Sequence, residues 1–69
     1  MTELVFIVEE DIDGGYNARA VGESIFTEAE TLEELRRNVR EAVECHFDAP
    51  QQRPKLIRLH VTRDGVVTL

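Results

Sequence analysis

The run Glu9-Glu10-Asp11-Ile12-Asp13-Gly14-Gly15 holds the first residues in this chain whose types and spacing suggest chemistry. Alternating acids ahead of a glycine resemble a calcium-binding loop of the EF-hand kind. Glu9, Asp11 and Asp13 fall at its positions one, three and five, and Gly14 at six. The register then fails, because position twelve should be a bidentate glutamate and is Ala20. The flanks also read as strands, not helices, so the run is expected to be a solvated hairpin loop. Cys45 and His46 are a second candidate. Neighbours in a helix point about 100° apart, so they do not form a Cys–His pair by themselves. Cys45 reads as a small, partly buried hydrophobe, and His46 as a cation favoured by a helix C-terminus. His60, near Arg58, could act as a base, but no nucleophile or carboxylate stands at a telling spacing. There is no glycine-rich phosphate loop and no GxSxG. The chain is therefore expected to be no enzyme and to need no metal or cofactor. A remnant nuclease using Asp11, Asp13 or His60 is the enzymatic alternative.

Few elements are available to position these side chains. Leu32, Leu35, Val39, Ala42, Val43, His46 and Phe47 recur at spacings of three and four, which predicts an amphipathic helix over about 32–47. Thr31 followed by Glu34 reads as a capping box. Pro50 cannot continue a helix and pushes Ala49 towards extended backbone. The outer face carries Glu33–Arg37, Arg37–Glu41 and Arg40–Glu44 at spacings of four. Such pairs add only ~0.2–0.5 kcal/mol each.

The rest is β-like. Residues 4–8, Leu-Val-Phe-Ile-Val, are continuously apolar and predict a central strand buried on both faces. Residues 16–21 alternate, with Tyr16, Ala18 and Ala20 on one side. The small alanines would let a helix approach closely. A third strand is expected over 24–29 and a fourth over 55–62, where Ile57, Leu59 and Val61 form the apolar face. Asp64-Gly65 is a two-residue hairpin signal, so 66–69 would fold back or continue the strand through a glycine bulge. The predicted fold is α+β: one domain over 1–69, two layers in the order β-β-β-α-β. Its antiparallel sheet would be covered by one helix, with a possible short fifth strand at the C-terminus.

Length and charge bound the function. A 69-residue chain has a core that supplies only ~3–5 kcal/mol. One cysteine allows no intrachain disulfide, which leaves self-association as the remaining staple. The 14 acidic and 8 basic residues give a net charge of -6, which argues against direct binding of nucleic acid and suits a basic protein partner. No apolar run approaches membrane length, the amino terminus lacks the basic region of a signal peptide, and a single cysteine fits a cytoplasmic setting.

The stretch Gly22-Glu23-Ser24-Ile25-Phe26-Thr27-Glu28-Ala29-Glu30-Thr31-Leu32-Glu33-Glu34-Leu35, continued by Asn38-Val39-Arg40-Glu41-Ala42-Val43, resembles the HicB-like antitoxin family. Shared features are a glycine before the third strand, a T-L-E-E helix cap, an asparagine one turn on and an E-A-[VI] close. The acidic, glycine-ended first hairpin is similar too, as are Arg58-Leu59-His60 and Arg63-Asp64 in the last strand. The resemblance implies a β-β-β-α-β domain, likened to a reduced ribonuclease-H-like fold. It implies a partner as well: a small basic HicA-type RNase toxin, neutralised by direct contact. The family's usual Pro-Gly-Cys-like entry to the third strand is Val21-Gly22-Glu23 here. Many members carry a C-terminal DNA-binding domain, and this sequence ends at Leu69, so operator binding is not implied.

Two surfaces are then expected. The hairpin carboxylates Glu9, Glu10, Asp11 and Asp13 would meet the basic partner. One helix covers one sheet face, so the other face and the edge of the fourth strand would pair with a second copy. Val5, Ile7, Leu56, Arg58 and His60 would line that contact, in a homodimer or a dimer of dimers. A free-standing oligomer without a toxin is the alternative.

Overall fold

The computed structural model describes residues 2–62, in the order β1 (Glu3–Glu10), β2 (Tyr16–Ala20), β3 (Phe26–Ala29), α1 (Leu32–His46), a 3₁₀ turn (Pro50–Gln52) and β4 (Leu56–Thr62). The expected return of 66–69 lies outside these residues. The four strands form one sheet in the order β3-β2-β1-β4, so the fold is α+β with the β-β-β-α-β order that the sequence predicts. β1, β2 and β3 are antiparallel neighbours, and β4 joins β1 in parallel, so the sheet is mixed. The reason is topological. Two reversals return β3 to the direction of β1, the helix carries the chain back, and β4 then has to run the same way as β1.

Alternation decides the core. Leu4, Phe6 and Val8 of β1 point to the helix layer and are buried, as is Ala18 of β2. From α1 they meet Leu35, Val39 and Val43, with Ile25 closing one end. A residue larger than Ala18 would hold the helix off the sheet. Val5 and Ile7 face the other way and are only half-buried, so β1 is central but covered on one side alone.

The helix starts where its cap stands. Thr31 is extended, and its hydroxyl oxygen accepts the Glu34 N–H at 3.1 Å. At the other end the structure adds a cap that the sequence reading lacks. Arg53 reaches back from the loop, its Nε donating to the Phe47 carbonyl at 2.9 Å and a terminal nitrogen to the Glu44 carbonyl at 3.2 Å. A cation is thereby placed at the negative end of the helix dipole. Pro50 opens the 3₁₀ turn, and Ala49 before it is extended. The apolar stripe is narrower than its spacing suggests: Leu32 and His46, at its ends, are exposed. Cys45 is exposed as well, not partly buried, because it lies about 200° around the helix from Val43.

Candidate interaction surface

Strand register brings the five residues expected at a self-contact onto one face. Phe26, Arg19, Ile7 and His60 form a row across all four strands, and Val5 lies beside Arg58 and Glu3 beside Leu56 in the next rows. Two large apolar side chains join them that the sequence reading did not assign to this contact. Phe26 is 63% exposed and Val21 is 53% exposed, and the Val21 N–H donates to the Val5 carbonyl at 2.9 Å. Adjacent apolar residues 25 and 26 signalled that one of them had to face out. Two acids on this face are paired, Glu9 with Arg19 at 3.9 Å and Glu3 with Arg58, while Glu28 stands exposed beside Asn17. What is left is an apolar band framed by charges.

The hairpin carboxylates do not form a single patch. Glu9 sits on the open sheet face with Arg19. Asp11 is exposed but braces the loop: its Oδ1 accepts the Asp13 N–H at 3.1 Å, its carbonyl accepts from Gly14, and its own N–H donates to the Gly15 carbonyl. Gly15 has φ of +84°, and a Cβ there would stand 3.0 Å from the Ala29 carbonyl oxygen, so the tight approach of hairpin to β3 requires glycine. Glu10 and Asp13 are exposed, and Ile12 at the tip is 97% exposed. Beside the loop lies a cleft of about 330 Å³ lined by Asp11, Glu28, Glu30 and Glu34, which extends the acidic end to the helix N-terminus. Among the described residues, no three His, Cys, Asp or Glu side chains are grouped to hold a metal ion.

The histidines are also apart from any catalytic arrangement. His46 Nε2 lies 3.3 Å from a Glu23 carboxylate oxygen and its ring stands edge-on to Phe47, so it links the end of α1 to the β2–β3 turn. His60 is exposed on the open face in the same row as Ile7. Among the described residues, the three helix-surface ion pairs suggested by the spacing of four are not closed, whereas Arg19–Glu9, His46–Glu23 and Arg58–Glu3 join different elements.

A third surface was not legible as one. α1 lies over β2 and β3, so the inner side of β4 is only partly covered: Ile57 and Leu59 are half-buried and Val61 is 48% exposed. The gap is a groove of about 670 Å³. Its walls include Val39, Val43, Ile57 and Leu59, and Arg36, Arg40, Arg53 and Lys55 also line it. Half of the 8 lysines and arginines of this acidic chain therefore converge here, with Glu44 the one acid among the described residues that line it. Arg36 and Arg40 are a turn apart in the sequence, but nothing in the sequence says that they face Lys55.

No family model matches the chain, and no solved structure does. Two curated proteins do. A UPF0150 protein of Archaeoglobus fulgidus is 58% identical over 53 residues, which is 77% of each chain. A UPF0150 protein of Thermotoga maritima is 39% identical over 67 residues, 97% of this chain and 93% of that one. No helix among the described residues is long and apolar enough to cross a membrane. With that identity sustained across nearly the whole chain, this protein belongs to the UPF0150 family.

Proposed function

We propose that this chain is a non-enzymatic, HicB-like binding module whose acidic end captures and neutralises a small basic protein, of the HicA-type RNase toxin class. The observation that carries the reading is the acidic end itself. Exposed Glu10 and Asp13 flank a braced hairpin next to a cleft lined by Glu28, Glu30 and Glu34. A preformed acidic surface loses little on ordering when a cationic partner arrives. The residues that carry the HicB resemblance have structural work at the same junction. Thr31 caps α1, and the Asn38 amide donates to the Glu28 carbonyl at 3.0 Å, tying the helix to the outer strand.

Co-expression with a small basic reading frame adjacent to this gene, followed by affinity capture and an RNase assay, tests the proposal. The expected result is a retained complex with suppressed cleavage. Glu10→Lys with Asp13→Lys should slow association, most strongly at low salt. A toxin that is not retained, or that cleaves at full rate in the complex, overturns the reading.

A second contact is favoured by the exposed Phe26, Val21 and Leu56. The open sheet face pairs with its own copy, giving a homodimer or one half of a dimer of dimers. Ile7→Asp should lower the sedimenting mass without unfolding the protomer.

A further inference from the structure

The groove between α1 and β4 and the tip of the β1–β2 hairpin are complementary in three respects. The groove is cationic in an acidic molecule, with Arg36, Arg40, Arg53 and Lys55 around apolar walls. The hairpin tip is an apolar knob in an acidic collar: Ile12 is 97% exposed, between Glu10, Asp11 and Asp13. The two also lie at opposite ends of the sheet. The hairpin follows Glu10 at one end of β1, while the groove is built on the start of β4, which pairs with the start of β1 at Glu3↔Leu56. A protomer therefore cannot fill its own groove with its own hairpin.

We infer that the groove is the docking site for the hairpin of a second copy of this chain, with Ile12 seated against the half-buried Ile57 and Leu59 and the flanking carboxylates facing Arg36, Arg40 and Lys55. Burial of an isoleucine that is otherwise wholly exposed contributes the apolar part of the contact. The charges fix its register and exclude like ends from meeting. Arg53 serves mainly as a wall, since its guanidinium already bonds the helix carbonyls. The contact joins unlike patches, so two of them close in an antiparallel pair. This surface is separate from the open sheet face, but it shares Glu10 and Asp13 with capture of the basic partner, so that partner and a second copy compete for the hairpin. Two distinct interfaces per protomer are what a dimer of dimers requires.

Charge exchange tests this. One variant reverses the hairpin, Glu10→Lys with Asp13→Lys; another reverses the groove, Arg36→Glu with Arg40→Glu. All four side chains are exposed, and far-UV circular dichroism and melting temperature would verify that each variant folds. In sedimentation at micromolar concentration, each variant alone should lose the hairpin–groove contact, with self-association weakened about tenfold or more. Mixed together, each reversed patch meets a reversed complement, and association should return. Ile12→Ser should weaken the wild-type contact without altering its salt dependence. A wild type that is monomeric throughout overturns the inference. So does self-association that neither reversal weakens, or a mixture that does not recover, because the two patches then serve other partners. The groove variant also separates this proposal from toxin capture. It should lose the self-contact and still bind the basic partner, whereas failure of capture with intact charge exchange would strike only the antitoxin reading.

Discussion

Phe6 and Ile7 are neighbours in β1, both large and apolar, yet they occupy different solvents. Phe6 is wholly buried under α1, and Ile7 looks out from the bare side of the same sheet. The difference lies in the covering layer, since one helix lies on one face and over only part of that. Phe26 and Ile25 repeat the lesson at the edge, one 63% exposed and the other 7%. Apolar side chains in this protein therefore divide into those that hold the protomer together and those that remain to hold something else. The second group gathers on the open face and in the groove beside β4.

Substitutions should separate the two groups by size of effect. The largest is Phe6→Ala, which removes ~3–5 kcal/mol. That is comparable to the whole contribution of a core this small, so the variant should show no cooperative melt. Ile7→Ala on the opposite side should cost only about 1 kcal/mol and leave the melt intact. Equal losses at the two positions would erase the distinction between the faces. Next comes Ala18→Leu, where the helix lies directly on the sheet; overpacking there should cost ~1–3 kcal/mol in chemical denaturation. Its neighbour Arg19→Leu should stay within about 0.5 kcal/mol, because an exposed pair at 3.9 Å contributes little. A smaller destabilisation than at Phe6 or Ala18 concerns the cover alone. Arg53→Met removes the cap at the helix C-terminus and should cost about 1 kcal/mol. Amide exchange should then quicken in the last turn of α1, before the strands respond.

The buried half of the fold was legible because it is periodic. Leu35, Val39 and Val43 repeat at helical spacing, Leu4, Phe6 and Val8 at strand spacing, and both patterns state which side chains share a face. Thr31 announced the cap by its type and by Glu34 three residues on. What the chain does not spell out is how far one element is displaced over another. That displacement leaves Val61 uncovered and sets Arg36 and Arg40 opposite Lys55, so the groove is absent from any local pattern. The hairpin carboxylates were recognisable as a loop but not as individuals. Composition cannot distinguish Asp11, which braces the turn, from Asp13, which faces solvent, or predict that Glu9 turns to Arg19. Parallel pairing of β4 with β1 was likewise hidden, since it follows from the number of reversals before it and not from its residues.

That pairing also governs how the chain can fold. β1 is synthesised before the other three strands of this sheet and β4 after them, and Glu3 must find Leu56 across the length of the domain. Hairpin β1–β2, strand β3 and α1 can assemble by contacts between near neighbours, but the second side of β1 stays unpaired until residue 56 and beyond have emerged. In that interval the most apolar of the four described strands is an open edge. Closure of so long a loop makes the last step the slow one, and the partly assembled sheet the species most exposed to wrong pairing. Shortening the chain before β4 would therefore do more than remove an outer strand. It would hold the molecule permanently at its most aggregation-prone stage.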